Sequence, residues 1–139
     1  MSTTDRPRAL ARRWLSKART DLALATVILE QGPDMDPWVG CFHAQQAAEK
    51  ALKAVLVTRG VEPPHIHDLG ALAALMPDDL PLEVSGDDLG NLTTFATGPR
   101  YVFDAGLETE DPTWDEAARA VVVAAGILAA VRAYLGETG

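Results

Sequence analysis

The chain has 139 residues, of which 47% are hydrophobic, 23% charged and 6% aromatic, the composition of one globular domain, since domains run to roughly 100–200 residues. A chain of this length buries enough surface to fold without a staple, and its single Cys41 excludes an internal disulfide or a cysteine-based zinc site. A net charge of −8 disfavours general nucleic-acid binding, which rests on attraction to phosphate. The charge is uneven: Arg6, Arg8, Arg12, Arg13, Lys17 and Arg19 against Asp5 give residues 1–20 a balance of +5, leaving −13 on the other 119. Such a strip either solvates a first helix beside an acidic body or receives phosphate or an acidic partner. No cleavable leader is legible in residues 1–10, and the longest uncharged apolar run, residues 120–131, falls short of the ~20 residues that cross a bilayer. The expectation is a cytoplasmic protein with no membrane segment.

Apolar spacing is helical throughout, and no sustained alternation marks a strand. Leu10, Trp14, Ala18, Ala25 and Ile28 recur at helical intervals, and Gly32-Pro33 stops this first helix. Pro37 suits the first turn of a second helix, where its missing N–H costs nothing; the helix is expected to run to about Arg59 and to end at Gly60 and Pro63-Pro64. Asp68 is placed to cap a short helix carrying Leu69, Leu72, Leu75 and Met76, closed by Pro77. Leu89, Leu92 and Phe95 outline a fourth helix, broken at Gly98-Pro99. After a loop over 100–112, Thr113 with Glu116 is a capping-box signal for a last helix over 114–135. These elements predict an all-α domain, an antiparallel up-and-down bundle of four to five helices over residues 10–135, with frayed ends at 1–9 and 136–139.

The informative residues are polar ones at apolar positions. On a helical wheel Trp38, Phe42, Leu52 and Leu56 define the apolar face of the second helix, and Gln45 and Glu49 fall near its centre. Asp21 falls within the stripe of the first helix. A buried carboxylate needs a cation or several hydrogen bonds, because leaving it bare costs several kcal/mol. The candidate partners are Lys17, Lys53, Arg59, Arg100 and the histidines of the Pro64 loop, with Arg100 favoured because a guanidinium keeps its charge when buried. Two readings stay open: a structural network that fixes helix register, or a functional polar pocket. His43 is expected to be exposed. His65 and His67 flank Ile66, but two ligands without a third do not make a metal site. Asp21 and Glu49 lack the Glu-x-x-His pairs of a bundle metal centre. There is no phosphate-binding Gly-rich loop, no His-Glu-x-x-His, no nucleophile elbow and no paired cysteine, so no metal or cofactor is expected.

The string Phe42-His-Ala-Gln-Gln-Ala-Ala-Glu-Lys-Ala-Leu-Lys-Ala-Val-Leu56, then Pro64-His-Ile-His67-Asp68-Leu69 and Arg100-Tyr101, closely resembles the HEPN domain family (higher eukaryotes and prokaryotes nucleotide-binding). Trp14, Ala18 and Asp21-Leu22 look like that family's first helix, so the resemblance spans about residues 10–135. It implies a bundle of four or five helices, often a homodimer, in a small cytoplasmic protein working beside a minimal nucleotidyltransferase, frequently as a toxin–antitoxin pair. On this reading Asp21, Gln45, Glu49, Lys53, His67 and Arg100 form a buried polar network or a nucleotide site. Some members of the family are metal-independent RNases whose signature is Arg, four to six residues, then His. Arg59 and His65, with five residues between them, meet that spacing, and His67 is the substitute within the His-Asp-Leu string. Gly60 stands where the pattern has a polar residue, and Pro63-Pro64 makes the connection a rigid loop. The alternative function is therefore an RNase toxin in which His65 acts as general acid or base on a ribose 2′-hydroxyl and phosphate, Arg59 steadies the charge on phosphorus, and Lys53 and the cationic strip hold the RNA. A structural or small-ligand-binding helical dimer is the third reading.

Overall fold

A helix that is apolar on nearly every side has to be enclosed by others, and the alanine-rich second helix organises the molecule on that principle. The computed structural model describes residues 5–96 and 111–136. Its helices are α1 (Asp5–Gln31), α2 (Pro37–Thr58), α3 (Leu69–Ala74), α4 (Gly86–Thr93) and α5 (Trp114–Tyr134), with a 3-10 turn at Gly32–Asp34 and no strand among the described residues. The chain is thus all-α. α1 and α2 form a helical hairpin, α5 packs across both, and α3 and α4 close the remaining side of α2.

Capping residues set most of the helix starts. The Asp36 carboxylate accepts from the Trp38 amide at 2.9 Å, the Asp68 carboxylate from the Ala71 amide at 3.1 Å, and the Ser85 hydroxyl from the Asp88 amide at 3.0 Å. Thr113 and Glu116 satisfy each other's backbone amides in the expected capping box. At the far end of α2 the Val61 amide donates to the Leu56 carbonyl and the Gly60 amide to the Val57 carbonyl, both at 3.0 Å. This wrap requires a left-handed residue, and Gly60 supplies it at φ +75°.

Burial departs from the wheel on both hairpin helices. α1 begins at Asp5, ahead of the Leu10 where the apolar spacing starts, and its buried line is Ala11, Leu15, Ala18, Asp21, Ala25 and Ile28. Leu10 is 42% exposed and Trp14 half-buried, so both flank that line rather than lie in it. On α2 the expected face is too narrow. Trp38 and Phe42 are half-buried and stack on each other, ring centres 5.4 Å apart, whereas Cys41, Ala44, Ala47, Ala48 and Ala51 are fully buried. Alanines let neighbours approach α2 from several directions, so one wheel face does not describe it. Gly40 serves the same approach: a Cβ there would sit 3.3 Å from Ile28 of α1.

α5 buries Ala117, Ala120, Val123, Ala124, Ile127, Leu128 and Val131. Taken as a whole helix it is long and apolar enough to cross a membrane, which the shorter uncharged run does not suggest, yet one face of it packs in the bundle. The expected break at Gly98-Pro99, the loop from residue 100 and Arg100 itself fall outside the described residues.

Candidate nucleotide-binding groove and its polar support

Two buried carboxylates anchor the hairpin, each with its own partners. Asp21, 8% exposed in the middle of α1, accepts from His43 Nδ1 at 2.9 Å and from Lys50 Nζ at 2.5 Å, both on α2. It joins α1 to α2. Neither partner was among the expected ones, and His43 is not the exposed residue the wheel predicts: its side chain keeps 25% of its surface and meets the Phe42 ring edge-on at 5.3 Å. The reason is again that α2 is enclosed on more than one face. Lys50 carries the signal that sequence reading passed over, since it is a cation one position from Glu49 on the side turned toward α1.

Glu49 is 5% exposed and Gln45 fully buried. Glu49 Oε1 accepts from Gln45 Nε2 at 3.1 Å and from His67 Nδ1 at 2.8 Å, while Oε2 accepts from Lys53 Nζ at 3.2 Å. Gln45 Nε2 also reaches the His67 carbonyl at 3.3 Å, and Gln46 Nε2 donates to Gln45 Oε1 at 2.7 Å. Burial pushes the Glu49 carboxyl up, but the hydrogen bonds from Gln45, His67 and Lys53, with the Lys53 charge, outweigh it and hold it below the usual carboxylate range. An ionised Glu49 requires the proton on His67 Nδ1, which leaves Nε2 of this largely exposed ring free to face outward. The structure therefore brings Gln45, Glu49, Lys53 and His67 together; Asp21 belongs to a separate pair of contacts, and Arg100 lies outside the described residues.

This network has a surface consequence. Through His67 it ties the 59–68 connector to α2, and through Lys53, a residue only 6% exposed, it reaches the wall of a groove of about 670 Å³. One side of the groove is α1, with Arg6, Leu10 and Trp14 at four-residue steps; the other is the connector, with Val61, Pro63, Pro64 and His65. Pro63-Pro64 stiffens that second wall. Sequence reading missed Trp14 and Arg6 as site residues, although the line Arg6, Leu10, Trp14 is legible as one helical edge beside the buried stripe.

The groove combines an indole and aliphatic walls with two cations and an imidazole. A planar ring has a surface to stack on, and an anionic group has Arg6, Lys53 and His65 to meet. His65 lines this groove, whereas Arg59 does not. Arg59 caps α2 and lies beside Tyr134, whose phenol burial and the neighbouring Asp79 push up while Arg59 acts the other way. Tyr134 Oη donates to Asp79 at 3.1 Å. Among the described residues no three histidine, cysteine or acidic side chains converge as a metal site.

Comparison with known proteins agrees with this architecture. The HEPN domain model matches residues 11–134. The crystal structure of TT1696 from Thermus thermophilus superposes with a TM-score of 0.71 at 32% identity, covering 88% of this chain and 96% of that one. That of ST0689, described as an archaeal HEPN homologue, gives 0.68 at 26% identity over 90% and 97% of the two chains. No curated protein matches the chain. A family match over most of the length, a relative near one-third identical and a shared all-helical architecture place this chain in the HEPN domain family.

Proposed function

We propose that this protein is a nucleotide-binding HEPN module that works beside a nucleotidyltransferase partner as one half of a toxin–antitoxin-like pair. The observation that carries the binding part is the groove between α1 and the Pro63-Pro64 wall, where Trp14 stands with Arg6, Lys53 and His65 around a space of about 670 Å³. Ligand clefts run to roughly 300–1,000 Å³, so one nucleotide fits with room for its phosphates. The base stacks on Trp14, and the phosphates meet Arg6 and His65 at the rim, with Lys53 held in place by Glu49. Family membership supports the partner half of the reading, and the exposed cations of α1 offer an acidic partner its surface.

Titration with ATP, AMP and GTP, followed by tryptophan fluorescence and calorimetry, tests the binding. Saturable quenching is expected, with the quench lost in Trp14→Phe and affinity reduced about tenfold or more in the doubly substituted Arg6→Ala, His65→Ala protein. Absence of a saturable signal with all three sinks the nucleotide site. Copurification with the product of an adjacent nucleotidyltransferase gene tests the partnership, and a genome with no such neighbour argues against it. The same preparation discriminates the RNase alternative. That reading needs Arg59 and His65 on one phosphate, and RNA cleavage abolished by Arg59→Ala and by His65→Ala would favour it over binding alone.

A further inference from the structure

The first turns of α1 run past the end of α2, and a cavity lies on each side of them. Val57 and Gly60 border the groove already described. Thr58 borders a separate cleft of about 600 Å³ on the opposite edge of α1. One wall of this cleft is Arg8, Ala11, Arg12 and Leu15; the other is the end of α5, with Tyr134, Leu135 and Gly136. By the pitch of an α-helix, Arg8 and Arg12 stand roughly 120–160° around α1 from Arg6. The two cavities therefore share no cation.

The cleft joins an apolar floor to a concentrated charge. Ala11 and Leu15 are buried beneath it, and Arg8 and Arg12, one turn apart, are exposed. Tyr134 is a fixed wall, because its Oη donates to Asp79 at 3.1 Å. The Thr58 hydroxyl donates to the Ala54 carbonyl at 3.0 Å, so the donors left for a ligand are the two guanidiniums. Among the described residues no carboxylate lines the cleft.

Nothing in the fold uses these arginines. Among the described residues neither Arg8 nor Arg12 forms an ion pair or a side-chain hydrogen bond. Cations beside helix C-termini ordinarily satisfy the last carbonyls, but both helices that end here close on their own backbone. Gly60 and Gly136 each take φ +75°. In α2 the Leu56 and Val57 carbonyls accept from the Val61 and Gly60 amides, and in α5 the Val131 and Ala133 carbonyls accept from the Leu135 and Gly136 amides. Arg132, in the last turn of α5, adds a further guanidinium to this end of the bundle, its Nε buried without a hydrogen-bond partner. Like charges four residues apart destabilise a helix, a cost that an anion between them removes.

We propose that this cleft is a second anion site, which holds the terminal phosphate of a small phosphorylated ligand between the Arg8 and Arg12 guanidiniums, the body of the ligand resting against Leu15 and the Tyr134 ring. Guanidinium forks match phosphate oxygens in pairs. Two of them balance the double charge of a terminal phosphate, whereas a phosphodiester brings a single charge. The volume lies within the range of small-molecule clefts. The site is independent of nucleotide binding in the groove.

Backbone amide NMR of the full chain separates the two cavities, because Gly136 lines this one and Gly60 the groove. Titration with inorganic phosphate and with pyrophosphate, against chloride at matched ionic strength, is expected to shift the Gly136 and Leu135 amides saturably. Arg8→Ala with Arg12→Ala is expected to weaken that response at least tenfold, with helical circular dichroism unchanged. Arg13→Ala with Lys17→Ala removes the same charge from α1 outside both cavities, and is expected to change the affinity by less than twofold. A Gly136 response no greater with phosphate than with chloride overturns the proposal, and so do shifts confined to Gly60. Equal weakening by the two double variants assigns the response to the diffuse charge of α1 and overturns it as well. Uridylyl-(3′→5′)-uridine, a phosphodiester with no terminal phosphate, is expected to bind at least tenfold more weakly than pyrophosphate; equal affinity assigns the cleft to an RNA strand instead.

Discussion

At the scale of single residues the chain keeps its charged groups inside only where their hydrogen bonds are complete. Both oxygens of Glu49 are occupied, by Gln45 and His67 on one and Lys53 on the other. Removing the carboxylate strands Lys53 and the His67 proton, so Glu49→Ala is expected to destabilise by about 3 kcal/mol in chemical denaturation. The pH dependence has a definite sign. The folded-state carboxyl titrates below its unfolded value, so its contribution is complete above the ordinary carboxylate range and is lost as pH falls through the depressed value. Urea midpoints measured from neutral pH down to pH 3 should fall more steeply for wild type than for Glu49→Gln. Cys41 shows the opposite case. Burial, with the charges of Glu116 and Asp36, pushes its thiol up to about 12, and a thiol reagent is expected to leave it untouched in the native protein and to label it at once in denaturant.

At the scale of elements, the starts of α2, α3 and α5 were legible, whereas the start of α1 at Asp5, the ends of α3 and α4 ahead of Leu75 and Phe95, and the burial of the hairpin helices were not. Caps are local chemistry: Asp68 and the Thr113–Glu116 box announce their helices because a side-chain oxygen two or three residues ahead of an amide has one obvious use. Thr113→Ala is accordingly expected to cost about 1 kcal/mol, within the usual span for such caps, read as a shift in the denaturation midpoint. Burial depends on which other elements arrive. Gln45, Glu49 and Asp21 were legible as inward residues because each interrupts an apolar line, and Lys53 and His67, the partners of Glu49, were among the candidates the sequence offered, whereas His43 and Lys50, the partners of Asp21, were not, since they are brought in from the neighbouring helix face. Gly60 is the instructive departure from the family's pattern. The residue looks like a loss when the RNase signature is laid over the chain, yet it holds the left-handed position that wraps the end of α2. Gly60→Asn should be better tolerated than Gly60→Val, because asparagine enters that region and a β-branched residue does not.

At the scale of the whole molecule the net charge of −8 separates into regions with different work. The cations of residues 6–19 are exposed along α1, and three of them, Arg6, Arg8 and Arg12, lie at cavities on that helix. Reversing Arg12, Arg13 and Lys17 together is expected to weaken binding of an acidic partner or RNA, and to do so less as ionic strength rises, which affinity measurements at two salt concentrations will check. Unchanged affinity would leave the strip as a solvated face.

The enclosure of α2 has a consequence for how the molecule opens. Each other helix touches α2, while α3 and α4 are short and lean chiefly on each other and on one side of it. The Thr93 hydroxyl accepts from the Leu69 amide at 3.0 Å and donates to the Leu89 carbonyl at 2.8 Å, so one side chain couples these two small helices. Their amides should therefore exchange with deuterium together, through a partial opening that leaves the α1–α2 hairpin intact, whereas the central amides of α2 should exchange only when the entire domain unfolds. Thr93→Val, which removes the coupling without emptying the space, should speed exchange in α3 and α4 and leave the slowest amides of α2 nearly unchanged.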